Sequence, residues 1–119
     1  MGDAVLVVGA DEAARDFIAG VLVRAGIGAR AVPSGRAAAE TNEHEPALVL
    51  VDTDLEVVRS IRSLADAKIA AVDIVVLGSD PARAGDAEAS RDAGATHHVA
   101  RPLAEATLVQ GVRSILSDG

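Results

Sequence analysis

The stretch Pro46-Ala-Leu-Val-Leu-Val-Asp52 decides how this chain folds. Its apolar residues, Ala47 to Val51, run without polar alternation and are rich in valine and leucine. A strand with one wet face alternates apolar and polar side chains; a strand covered on both faces does not. The run therefore predicts a central strand of a parallel sheet. It stops on a carboxylate, Asp52. In open α/β sheets, ligands and chemistry collect at the carboxyl ends of the central strands. An acid at that place is either a reactive group or a helix cap, since Leu55-Glu56-Val57-Val58 follows closely.

Working outward from that strand, the same reading repeats. Val5-Leu6-Val7-Val8 predicts a first buried strand, ended by Gly9-Ala10-Asp11. Asp11 is placed to cap a helix whose inner face is Ala14, Phe17, Ile18, Val21, Leu22 and Ala25, with Gly26 and Gly28 closing it. A weaker strand, about Gly28 to Val32, reads as an edge. Pro33-Ser34-Gly35 turns into a helix from about Arg36 to Glu43 whose apolar side is only alanine. After Asp52 a helix is expected on Leu55, Val58, Ile61, Leu64 and Ala65. Asp73-Ile74-Val75-Val76-Leu77 is a fourth strand, again continuous. Gly78-Ser79-Asp80-Pro81 then opens an alanine-rich helix from about Ala82 to Ala93, with Pro81 suited to its first turn. Thr96 to Ala100 makes a poor fifth strand containing His97 and His98. The last helix turns Leu108, Val109, Val112, Ile115 and Leu116 inward, and Ser117-Asp118-Gly119 reads as a frayed end.

Five strands alternating with five helices over short connections give a parallel sheet covered on both faces. A chain of 119 residues suits one domain, taken as residues 1–119. Its apolar half is alanine, valine, leucine and isoleucine, with one Phe, one Met and no Trp or Tyr. The lack of cysteine excludes disulfides, thiol catalysis and thiolate metal sites. A net charge of −7 argues against direct binding to nucleic acid or an anionic membrane. No run approaches the roughly 18 apolar residues of a membrane span, and no signal pattern opens the chain, so a cytoplasmic location is expected.

Taken in order, these elements resemble the receiver domains of bacterial two-component response regulators. The resemblance rests on Val5-Leu6-Val7-Val8 leading to Arg15, on the stretch ending in Asp52, on Gly94-Ala95, and on the basic-Pro pair Arg101-Pro102. It implies a three-layer, doubly wound (βα)5 flavodoxin-like sheet of strand order 2-1-3-4-5. In that family the carboxylate ending strand three takes a phosphoryl group from a histidine kinase, and Asp52 holds that position. The transfer needs Mg²⁺, because an anionic phosphoryl group must approach an anionic nucleophile, and two adjacent acids after strand one hold the ion. Here those positions read Gly9-Ala10. Asp11 aligns with the third position, which in the family does not usually bind the metal.

Other positions depart in the same direction. The family's hydroxyl after strand four is replaced by Gly78, with Ser79 one place late. Its lysine is Arg101, before Pro102, and a guanidinium facing Asp52 would fill space that a cation needs. The aromatic switch position is His98. Asp54 and Glu12 offer carboxylates, but they read as a cap and a helix start. His97 and His98 point to opposite strand faces and cannot readily chelate one ion. Gly9-Ala10-Asp11 lacks the full glycine fingerprint of a nucleotide loop.

The resemblance thus implies an atypical receiver, or pseudo-receiver, in phosphorelay-type signalling. Such a protein works by contact with another signalling protein or domain, or with a second copy of itself, through its fourth helix, fifth strand and fifth helix. No catalytic residue, enzyme activity or resident cofactor is expected, with Mg²⁺ only if the site functions. Two alternatives stand beside it. One is a working Mg²⁺-dependent receiver phosphorylated on Asp52. The other is a small-molecule-binding signalling module using the space left by Gly9, Ala10 and Gly78.

Overall fold

The computed structural model describes residues 4–52, 54–78, 84–99 and 104–118. In chain order the elements are β1 (Val5–Val8), α1 (Glu12–Arg24), β2 (Ala29–Val32), a 3-10 turn (Ser34–Arg36), α2 (Ala37–His44), β3 (Leu48–Asp52), α3 (Leu55–Arg62), α4 (Ala67–Ala70), β4 (Asp73–Leu77), α5 (Asp86–Ala93), β5 (His97–Val99) and α6 (Glu105–Asp118). The strands form one parallel sheet in the order β2-β1-β3-β4-β5. Both the fold class and the strand order agree with the expectation.

The unbroken apolar runs are explained by what lies on each pleat. Val5, Val7, Leu48, Leu50, Val75 and Leu77 enter one core with Ile18, Val21 and Leu22 of α1 and Leu108 and Val112 of α6. The intervening residues, Leu6, Val8, Val49, Val51, Ile74 and Val76, enter a second core with Val57, Val58 and Ile61 of α3 and with Ala37 and Ala93. Every residue of these runs in β1, β3 and β4 faces a helix layer, so none of them is free to be polar. The register then sets the strand ends: Val8 lies beside Val51, Asp52 beside Leu77, and Leu77 beside Val99.

Helix starts follow their caps. Asp11 accepts a hydrogen bond from the Ala13 amide at 3.1 Å, and Asp54 accepts one from Glu56 at 3.1 Å. Each such cap stabilises its helix by about 1 kcal/mol. Helix α2 stops at Glu45, which takes the left-handed conformation (φ 46) before Pro46.

The structure departs from the sequence reading in five places. Phe17 does not face the core; it is 58% exposed, because the buried stripe of α1 is carried by Ile18, Ala19, Val21 and Leu22. The inner face of α2 is not only alanine. Thr41 is fully buried, its hydroxyl donating to the Ala37 carbonyl at 2.7 Å, and Glu40 is buried beside it. Helix α3 ends at Arg62, and a separate short helix, α4, follows it under an Asp66 cap. Helix α5 begins at Asp86 rather than Ala82, because Gly85 precedes it in the left-handed conformation (φ 86); Pro81 and Ala82 lie outside the described residues. Ser117 and Asp118 complete α6 instead of fraying.

Arg62 joins these parts. Its guanidinium donates to the carbonyls of Ala70 and Val72 at 2.6 Å each and of Gly94 at 2.8 Å, and to Thr96 Oγ1 at 3.4 Å. Burial pushes its pKa down, against the nearby Asp73 charge that raises it. Gly94 (φ 116) sits so close that a Cβ there would lie 2.8 Å from Arg62 Cγ. Gly111 is of another kind. It stands inside α6, where glycine costs about 1 kcal/mol relative to alanine, yet no described atom lies within 4 Å of where its Cβ would be.

Candidate functional site

The carboxyl ends of β1, β3 and β4 bring Gly9, Asp52 and Gly78 to one edge of the sheet. Asp52 ends β3 half-buried, beside Leu77 in the ladder. Gly9 follows β1 and is buried against it: a Cβ on Gly9 would lie 3.3 Å from Asp52 Cβ and 3.7 Å from Asp52 Oδ2. The β1 backbone therefore closes directly on the Asp52 side chain, where a longer residue would have to stand off. Ala10, next to it, is exposed and offers no side-chain oxygen. Asp11 is engaged as the α1 cap and Asp54 as the α3 cap.

A cation rather than an acid attends this strand end. Arg15, one turn into α1, donates from Nη1 to the Gly9 carbonyl oxygen at 3.1 Å, with its side chain only 14% exposed. Glu12 lies 3.9 Å from its other terminal nitrogen. Magnesium takes a near-octahedral shell of oxygen ligands and in protein sites is held by one or more carboxylates. Among the described residues, no group of three acid or imidazole side chains within reach of one ion includes Asp52. The one such trio among the described residues is Glu40, Glu43 and His44, on α2. Two of the three, Glu40 and His44, are already engaged. Glu40 faces Arg36 at 3.2 Å, Arg30 at 3.6 Å and His44 at 2.8 Å. Burial raises the Glu40 pKa, but the Arg36 hydrogen bond and the Arg36, His44 and Arg30 charges together bring it below the ordinary carboxylate value.

On the other side, β4 ends in a notch. The Gly78 amide donates to the Val99 carbonyl at 2.8 Å, which fixes the backbone. The His98 ring then fills the volume beside Gly78: a Cβ on Gly78 would lie 2.9 Å from His98 Nε2 and 3.1 Å from Cε1. The ring is held from its far side by Ser90 of α5, whose Oγ lies 2.9 Å from Nδ1. Ser90 has a single hydroxyl proton, and it donates that proton to the Asp86 carbonyl at 2.9 Å. The Ser90 contact holds the ring with its Nε2 edge toward Gly78. His97, one residue earlier, is exposed and paired in register with Val75, on the opposite pleat.

The sequence-selected residues are thus only partly assembled. Gly9 meets Asp52, and Gly78 meets His98. Ser79, Arg101 and Pro102 lie outside the described residues. The space expected at Gly78 for a small molecule is not open, because the imidazole occupies it. Three contacts were not anticipated: Ser90 behind His98, Arg62 under Gly94, and Glu40 among two arginines. Ser90 and Ala93 are the residues that α5 buries, which the sequence did not mark.

No protein-family model matches the sequence, and no curated protein is similar to it. Solved structures are similar over nearly the full chain. A Chloroflexus aurantiacus J-10-fl protein assigned as a response regulator superposes with a TM-score of 0.83 at 21% identity, covering 98% of this chain and 99% of that one. The receiver domain of NtrX from Brucella abortus gives 0.79 at 21% identity, with 97% and 99% covered. The receiver domain of the sensor histidine kinase PA1611 from Pseudomonas aeruginosa PAO1, which holds a magnesium ion in its active-site cleft, gives 0.78 at 20% identity, with 98% and 99% covered. With the five-stranded order and the position of Asp52 already established, the likeness leads to one statement: this chain has the CheY-like fold of response-regulator receiver domains.

Proposed function

We propose that residues 1–119 are a single receiver-like signalling domain that works by protein contact, without Mg²⁺-dependent phosphorylation of Asp52. The observation that carries this reading is the pairing of Gly78 with His98. Where a phosphoacceptor site needs a hydroxyl side chain, even a Cβ would collide with the imidazole at 2.9 Å. The first strand end supports it, with Gly9 closed against Asp52 and the Arg15 guanidinium on the Gly9 carbonyl. Asp52 keeps the phosphoacceptor position; Gly9, Ala10 and Asp11 are degenerate metal positions; Gly78, Ser79, His98, Arg101 and Pro102 are the altered phosphate-pocket and switch positions. The domain needs no cofactor and has no catalytic role of its own.

Its output surface in this reading is α5, β5 and α6, which correspond to the fourth helix, fifth strand and fifth helix of the sequence reading. Helix α5 buries only Ser90 and Ala93, so little apolar area holds it and it can shift at small cost. His98, bonded to Ser90, ties that helix to the Gly78 notch. The partner is another signalling protein, a further domain or a second copy of the chain. A net charge of −7 disfavours direct nucleic-acid or membrane binding, and among the described residues no helix is long and apolar enough to cross a membrane.

The test is incubation with acetyl phosphate and Mg²⁺, borohydride trapping of any acyl phosphate, and peptide mass spectrometry. No trapped adduct at Asp52 is expected. An Mg²⁺-dependent adduct at Asp52 would restore the working-receiver reading.

A further inference from the structure

Between α6 and the β5 edge of the sheet lies a cavity of about 320 Å³, within the range of small-molecule sites. Its floor is apolar, made by Leu50, Val75 and Val99 from three adjacent strands and by Leu108 and Val112 of α6. Its rim carries the His97 imidazole and the hydroxyls of Thr107 and Ser114, all exposed. Among the described residues, no carboxylate, lysine or arginine lines it. Two other grooves among the described residues differ. One, between α1 and α6, is lined by Arg24, Glu105 and Arg113; the other, near the amino ends of the strands, by Glu45, Lys68 and Asp73.

Gly111, exposed on α6, leaves one wall of this cavity without a side chain. It lines the cavity in the middle of α6, and nothing described approaches the place of its missing side chain. No crowding contact and no positive φ demands glycine here. A helix-weakening residue thus borders the cavity, at a position where a side chain would meet no described neighbour. The chain also has no Trp or Tyr, and its one Phe is exposed on α1, so no six-membered aromatic ring of its own fills the space between α6 and the sheet; the imidazoles of His97 and His98 line it.

The geometry points to a binding site for a small planar aromatic molecule with one hydrogen-bonding or weakly acidic group. The ring lies between α6 at Gly111 and the β4–β5 surface at Val75 and Val99. Its polar group meets the rim, where imidazole and hydroxyl groups donate and no described carboxylate repels an acid. This site is on the face of the sheet that α6 covers and does not involve Gly9 or Gly78. It goes beyond the protein-contact reading and does not depend on the state of Asp52.

The test is a ¹H–¹⁵N titration of the ¹⁵N-labelled chain with indole and, separately, benzoate. Saturable shifts clustered on His97, Val99, Leu108 and Gly111 are expected with at least one of the two. Gly111→Leu fills the slot and should weaken binding at least tenfold. Gly111→Ala, which adds one methyl and favours the helix, should weaken it several-fold while raising the melting temperature, so a folding defect cannot imitate the result. No saturable shift with either probe at millimolar concentration overturns the proposal. So do shifts elsewhere, or binding that Gly111→Ala and Gly111→Leu leave intact.

Discussion

Substituting Gly78 by alanine should change stability in opposite directions depending on whether His98 is present. Gly78 is not among the glycines with positive φ, so alanine fits its backbone. By restricting the unfolded chain, Gly→Ala at such a place stabilises by about 0.4–1 kcal/mol. In the wild-type chain that gain is overridden. The new Cβ would lie 2.9 Å from His98 Nε2 and 3.1 Å from Cε1, and the ring must swing away. Doing so breaks the 2.9 Å contact with Ser90, worth about 1 kcal/mol, and forces the side chain off its rotamer for about 1 kcal/mol more. G78A should therefore destabilise the wild type by about 1–1.5 kcal/mol. In H98A, where the ring is gone, the same change should stabilise by about 0.5 kcal/mol. The coupling is then about 2 kcal/mol, a shift near 1 M in the urea midpoint for a typical small domain. Unfolding is best followed by far-UV circular dichroism, because the chain has no Trp or Tyr. Additive effects, agreeing within about 0.5 kcal/mol across the cycle, would refute the claim that the imidazole occupies the Gly78 notch.

Other expectations concern the scaffold. Arg62→Met removes donors from three carbonyls and should destabilise by about 2–4 kcal/mol in urea unfolding, since bonds to a charged group are worth about 1.5–3 kcal/mol each and water recovers part of them. Gly94→Ala combines a left-handed φ of 116 with a 2.8 Å approach to Arg62 and should lower the melting temperature more than Gly111→Ala raises it. Glu40 has a pKa held below the ordinary carboxylate value in the folded state, so its contribution is present above the unfolded pKa and is lost as pH falls through the folded one. The urea midpoints of wild type and Glu40→Gln should therefore differ at pH 7 and converge on acidification. A difference that stays constant with pH would show that Glu40 does not act through its charge.

How much of this could be read from the sequence depended on whether the signal was local. The strands β1, β3 and β4 are legible because both of their pleats are apolar, and the register then puts Asp52 at a strand end. The helix α4 was not legible: Ala67-Lys68-Ile69-Ala70 is too short to show a period, and only the Asp66 cap announces it. The depth of Phe17 was misjudged because six apolar positions on α1 share helical spacing, and the core accepts only the stripe that meets the sheet. At the site, each departure from the family pattern was visible by itself. What stayed hidden was that two of them compensate in space, glycine making room for histidine, with Ser90 on a separate helix holding the ring. Such a pairing joins three elements and leaves no mark in any one of them.

The central claim is that Asp52 stands at a phosphoacceptor position whose metal and phosphate partners are gone. It is tested most directly by titrating Mg²⁺, with and without beryllofluoride, into the ¹⁵N-labelled chain and following backbone amides beside an Asp52→Ala control. The account predicts no saturable shift near Asp52 or Gly78 at millimolar Mg²⁺, and the same response from both proteins. Saturable shifts at Asp52 and Gly78 that vanish in Asp52→Ala would contradict it and show a site that still binds metal and a phosphoryl mimic.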